Sequence, residues 1–116
     1  MTRVFVYGTL KRGHGNHRYL DGQTFIGEAT TAPKYLLVDL GYYPAMQRGR
    51  LAVKGELWDV DDDALAAIDR LEGFHPRYPD DCMYRREPID VSGHDGVEAY
   101  LYYRRVVASA RTGAEW

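Results

Sequence analysis

Residues 3–7, RVFVY, carry apolar side chains on both faces of an extended segment, the pattern of a short strand buried in the middle of a sheet. Gly8-Thr9-Leu10 stops it. Lys11–Asn16 continues as a glycine-punctuated polar loop, in which Asn16 is placed to cap one helical turn, His17 to Leu20, closed by Gly22. Thr24–Thr30 and Lys34–Leu40 read as strands separated by Pro33 and ended by Gly41, and their succession predicts that they pair. Tyr42–Met46 is apolar, but Pro44 lacks the N–H that a central strand needs, so a loop over the core is expected there, with a turn at Gln47–Arg50. Ala52–Val60 alternates as a strand, with Gly55 marking a bulge or a close backbone approach. Asp61-Asp62-Asp63 supplies the acidic start that a helix favours, and the helix is expected from about Asp62 to Glu72, ended by Gly73. Phe74–Asp81 is a proline-containing loop, and strands at Cys82–Val91 and Val97–Arg105 are joined by the Ser92–Gly96 hairpin connection. This amounts to an α+β fold: about six strands, curled into a small mixed β-barrel, with one main helix. The pattern leaves open whether the 105–116 tail is ordered, with Val106, Val107 and Trp116 covering a neighbour, or dangles.

Composition narrows this picture. A chain of 116 residues, 45% hydrophobic and 28% charged, suits one ordinary domain spanning residues 1–116 and buries enough core to fold without a disulfide or structural metal. Cys82, the single cysteine, forms no internal bridge. A net charge of −2 with no single-sign block argues against nucleic acid as a partner. The opening MTRVFVYG reaches its first glycine too early for a signal peptide or a membrane span, so a cytoplasmic protein with no membrane partner is expected. Ten Tyr, two Trp and three Phe favour strands and exclude a helical bundle.

One residue breaks the pattern of the helix. Leu65, Ile68 and Leu71 define an inward face, and Glu72, two turns after Leu65, projects from within the same arc. Burial and the negative end of the helix dipole both disfavour its charged form, which predicts a raised pKa and a group suited to general acid–base work. The alternative is a frayed last turn, with Glu72 in solvent or paired with Arg77 or Arg85. At the end of the first strand, Tyr7-Gly8-Thr9-Leu10 leaves backbone N–H groups outside any ladder, a nest for a carboxylate or an oxyanion or else simply a turn.

Other clusters carry less. Cys82 and the histidines His14, His17, His75 and His94 lack the paired spacing of a zinc site, so no metal is expected, and nothing sets a histidine beside Cys82 as a base. Asp61–Asp63 is explained by the helix start, and Ser92 and Ser109 lack a nucleophile elbow. Tyrosines with Arg85-Arg86 and Arg104-Arg105 could contact single-stranded nucleic acid, but the acidic balance opposes it.

Taken in order, VFVYGTLKRG at 4–13 with Asn16 beyond it, GYYPAM at 41–46, VKGELWDV at 53–60, IDRLEG at 68–73, Tyr84-Arg85 and EAYLYY at 98–103 resemble the γ-glutamylcyclotransferase superfamily. They are most similar to its small, avirulence-induced-gene-like and γ-glutamylamine cyclotransferase branch. The resemblance implies a compact mixed barrel, a substrate-binding loop at Gly8, Thr9 and Leu10, and a catalytic glutamate at Glu72. It also implies a small-molecule γ-glutamyl substrate, with Tyr7, Tyr43 and Tyr84 as pocket walls and no cofactor. The implied reaction is intramolecular aminolysis that releases 5-oxoproline and a free amine, a C–N bond cleavage of the lyase or acyl-transfer kind. Gly8-Thr9-Leu10 stands where longer relatives acting on free γ-glutamyl amino acids carry a Gly-Ser-Asn-Leu type of loop, which leaves the released amine open. The resemblance assigns no oligomeric state. A non-catalytic module binding a γ-glutamyl or other carboxylate ligand is the alternative.

Overall fold

The computed structural model describes residues 1–41, 43–106 and 111–116; Tyr42 and residues 107–110, with Val107 and Ser109 among them, lie outside the described residues. The strands are β1 (Thr2–Val6), β2 (Thr24–Thr30), β3 (Tyr35–Asp39), β4 (Pro44–Arg48), β5 (Lys54–Val60), β6 (Tyr84–Pro88), β7 (Val97–Tyr102) and β8 (Thr112–Gly113), with helix α1 at Asp62–Glu72. They form one curled sheet in the order β2-β5-β1-β7-β4-β3-β8, and β6 pairs with β7 outside that path. The fold is α+β, as the pattern predicts, but with eight strands among the described residues where about six were expected.

Alternation along the central strands splits the core in two. Phe5 and Tyr7, Leu57, and Val97, Ala99 and Leu101 pack together on one face. Val4 and Val6, Trp58 and Val60, and Tyr100 pack on the other, where Ile68 of α1 is fully buried among them. β1 lies antiparallel to β5 and parallel to β7, so it has neighbours on both edges and apolar contacts on both faces. This is the physical basis of its uniformly apolar sequence.

Three expectations need correction. The segment from Pro44 is a strand and not a loop: β4 pairs antiparallel with β3 and meets β7 at Met46 and Leu101. Pro44 is its first residue, where the missing N–H breaks no ladder. The first two outer strands do not pair with each other. β2 runs antiparallel to β5, and β3 forms its hairpin with β4. Between them the chain is drawn away, as Thr31 N–H donates to the Val53 carbonyl and Ala32 N–H to the Asp90 carbonyl. Asn16 precedes the expected short turn at His17–Leu20 but makes no side-chain cap there.

Gly55 marks a close approach. A Cβ built on it would lie 2.4 Å from the Val6 carbonyl oxygen and 2.6 Å from the Phe5 ring. Backbone of a central strand cannot step aside cheaply, so Gly55→Ala is expected to lose about 1–3 kcal/mol of stability by overpacking. Urea denaturation measures it, and a loss below about 0.5 kcal/mol would contradict the close approach.

Candidate active site

The end of α1 is fixed on both sides of Glu72. The Asp61 carboxylate accepts from Ala64 N–H at 2.8 Å and caps the start, with Asp62 and Asp63 in the first turn. At the other end Gly73 has φ +71°, a left-handed conformation that reverses the chain, while Gly73 N–H donates to the Arg70 carbonyl and Phe74 N–H to that of Asp69. Glu72 is therefore the last helical residue and is not frayed. It is half-buried against a cavity of about 440 Å³.

That cavity is lined by every site residue expected from the sequence: Tyr7, Gly8, Thr9, Leu10, Tyr43, Tyr84 and Glu72. Among the described residues Glu72 has no hydrogen-bond or ion-pair partner, and burial alone raises its pKa from 4.5 to about 7. Neither arginine of the alternative reading reaches it. Arg85 turns to Asp80, 3.6 Å away, and to the Cys82 carbonyl, and Arg77 is exposed.

Phenols surround the carboxyl group. Tyr7 is buried and donates to the Tyr100 carbonyl at 2.7 Å, and Tyr84 donates to the Pro44 carbonyl at 3.4 Å. Burial first, and then the charge of Glu72, push both phenols well above the usual tyrosine range. Tyr100 is raised by burial and by its hydrogen bond to Asp69. These three phenols are thus uncharged at neutral pH.

The loop after β1 has satisfied its acceptors and left its donors free. Gly8 O accepts from Lys11 N–H at 3.0 Å, Thr9 O from Asn16 N–H at 2.9 Å, and Leu10 O lies 3.0 Å from His17 Nδ1. Asn16 Nδ2 also donates to Thr9 Oγ1 at 2.9 Å, so its side chain holds the loop and caps nothing. The N–H groups of Gly8, Thr9 and Leu10 have no acceptor among the described residues. Gly8 is required for the close approach of Pro44, whose Cγ would lie 2.7 Å from an added Cβ.

Sequence reasoning missed the support beneath the site. Asp69 is 7% exposed; it takes a bidentate pair from Arg86 at 2.9 and 3.2 Å and the Tyr100 hydroxyl at 2.5 Å. Arg86 also reaches Glu98 at 2.6 Å, tying α1 to the β6–β7 hairpin. Asp69 is four residues after Leu65, at the edge of the inward arc, and that spacing was the available signal. Cys82 lies apart, its thiol accepting from His75 N–H at 3.2 Å and donating to the Tyr78 carbonyl at 3.4 Å.

Comparison with known proteins bears on what such a cavity serves. The family model described as "Gamma-glutamyl cyclotransferase, AIG2-like" matches residues 4–116. The chain belongs to this family. It is 45% identical over 80 residues to a Vibrio cholerae protein named "Putative gamma-glutamylcyclotransferase", covering 69% of this chain and 70% of that protein. A Methanocaldococcus jannaschii protein under the same name is 38% identical over 107 residues, covering 89% of this chain and 84% of its own. The crystal structure of an AIG2-like protein from Mus musculus is similar with a TM-score of 0.71 at 30% identity, covering 94% of this chain and 80% of the other. Family membership supports a cyclotransferase that takes a small-molecule substrate. No helix among the described residues is long and apolar enough to cross a membrane.

Proposed function

We propose that this γ-glutamyl cyclotransferase family member acts in the cytoplasm on a γ-glutamyl amide, releasing 5-oxoproline and a free amine, with Glu72 as general acid and base. The observation that carries the reading is an unpartnered carboxyl group on the same cavity as a loop of unused N–H donors. The α-amine of the glutamyl group attacks its own γ-carbonyl, and the new C–N bond closes a five-membered ring. Collapse of the tetrahedral intermediate breaks the amide C–N bond. Both reactants belong to one molecule, so holding the chain folded supplies roughly 7–11 kcal/mol of the barrier through effective molarity. Glu72 as carboxylate takes the proton from the attacking nitrogen and, as acid, returns it to the departing one. The N–H groups of Gly8, Thr9 and Leu10 bind the glutamyl carboxylate or the oxyanion, and Tyr7, Tyr43 and Tyr84 wall the pocket. The reaction needs no cofactor and no metal.

The test is mass-spectrometric detection of 5-oxoproline after incubating wild type and Glu72→Gln with pooled γ-glutamyl amines and amino acids. Ligand-induced thermal stabilisation without 5-oxoproline would overturn the catalytic reading in favour of a binding module. The pH profile follows from the same group. Glu72 must begin as the carboxylate, so kcat/KM is expected to rise with pH and level off above about 7. A profile flat from pH 5 to pH 9, measured as initial rates of 5-oxoproline release, would remove Glu72 from the proton transfer.

A further inference from the structure

Within the cyclotransferase reading, on which this step rests, we propose that the released amine carries an apolar side chain and no second positive charge. The cavity of about 440 Å³ is of whole-ligand size, with more room than a glutamyl group alone requires. Two of its lining residues are large apolar side chains left in solvent: Met83 is 49% exposed and Tyr43 46% exposed. Pro44 adjoins Tyr43 on the same lining. A cluster of this kind at a cavity is unfavourable in water and is covered when the ligand's carbon chain lies on it.

Charge points the same way. Among the described residues Glu72 is the one acid of the lining, and it is committed to the reacting nitrogens; the other charged residue described there, Arg70, is a cation. Asp69 is close by in sequence but is spent on Arg86 and Tyr100. A distal ammonium on the leaving amine would give up water for phenols, a thioether and a like charge. A terminal methyl in its place gains burial.

A matched pair of substrates isolates this difference. γ-Glutamyl-n-pentylamine and γ-glutamyl-1,4-diaminobutane have the same chain length and differ by CH₃ against NH₃⁺ at the far end. Wild type is expected to favour the pentylamide in kcat/KM by about 10-fold or more, the size of burying apolar carbon against stranding a charge. Met83→Ala, at an exposed position that does not threaten folding, is expected to raise KM for the pentylamide several-fold more than for the diamine derivative. Met83→Glu is expected to narrow or invert the preference. Equal or better turnover of the diamine derivative, or a Met83→Ala variant with KM unchanged, overturns the inference while leaving the reaction intact. If neither compound gives 5-oxoproline while the pooled γ-glutamyl substrates do, the inference fails and the reaction stands; if the pool gives none either, the reaction itself is overturned. In that case calorimetric Kd values of the two amides on Glu72→Gln decide the preference of the cavity alone, with the pentylamide tighter if it holds and the two equal if it fails.

Discussion

Glu72→Gln is expected to lower 5-oxoproline release at least about 100-fold and, above neutral pH, to make the protein more stable than wild type. The first effect is the usual size of losing a positioned acid–base group whose shape is retained. The second follows from linkage. Burial raises the folded-state pKa of Glu72 from 4.5 to about 7, so the folded protein holds this proton more tightly than the unfolded chain does. The stability it contributes is fully present below about pH 4.5 and is lost progressively as pH rises to about 7. Above that the ionised carboxylate costs the fold up to about 3 kcal/mol, which a neutral glutamine does not incur. Urea denaturation of both proteins at pH 5 and pH 8 should therefore show the variant gaining mainly at pH 8. A variant that is both inactive and destabilised at pH 8 would mean that Glu72 is a structural group with a partner. An active one would end the proposed mechanism.

Why Glu72 was legible and Asp69 was not comes down to what a helix periodicity reports. The positions of Leu65, Ile68 and Leu71 define the buried arc, and an acid well inside it is conspicuous. Asp69 lies at the border of that arc, where an acid is ordinarily solvated, and its partner Arg86 belongs to a strand 17 residues away. No local pattern joins them. β1 and α1 were readable for a similar reason, since both are set by side chains within one short segment: RVFVY between two neighbouring strands, and Asp61 with Gly73 closing the helix. Strand pairing is a long-range choice. β2 and β3 are adjacent in sequence, yet Thr31 and Ala32 bind Val53 and Asp90 and separate them. β4 is hidden in the sequence because proline is excluded from a strand interior but not from a strand's first residue, the place Pro44 takes. The cavity inherits this division: Glu72 stands out within its own helix, and the Gly8–Leu10 loop, which alone reads equally as a turn, is singled out with Tyr7 and Tyr84 by the family resemblance, whereas Tyr100 and Met83 reach the cavity only through the pairing of the sheet.

Asp69→Ala is expected to be the most destabilising single change near the site, at about 3–5 kcal/mol, because it strands a largely buried cation. The Arg86 side chain is 17% exposed and would keep only Glu98, losing both oxygens of its bidentate partner. The Tyr100 hydroxyl would lose its acceptor as well. Against a total stability of roughly 5–15 kcal/mol for an ordinary domain, that is a large fraction. Tyr100→Phe removes the one hydroxyl bond and should cost only about 1 kcal/mol. The contrast that identifies the cause is the double replacement Asp69→Leu with Arg86→Met. If the penalty is an unpaired charge, removing both partners restores most of the loss, whereas if the residues act by shape the two losses add. Asp69 stands three residues, just under one helical turn, before Glu72 and anchors that turn to the β6–β7 hairpin. The double variant should therefore fold close to wild type yet bind substrate less well, with KM raised more than kcat is lowered, since the acid–base group survives on a less firmly held helix end. An Asp69→Ala loss under about 1 kcal/mol in urea denaturation would place the Arg86 pair among exposed ion pairs and remove it as the support of the site.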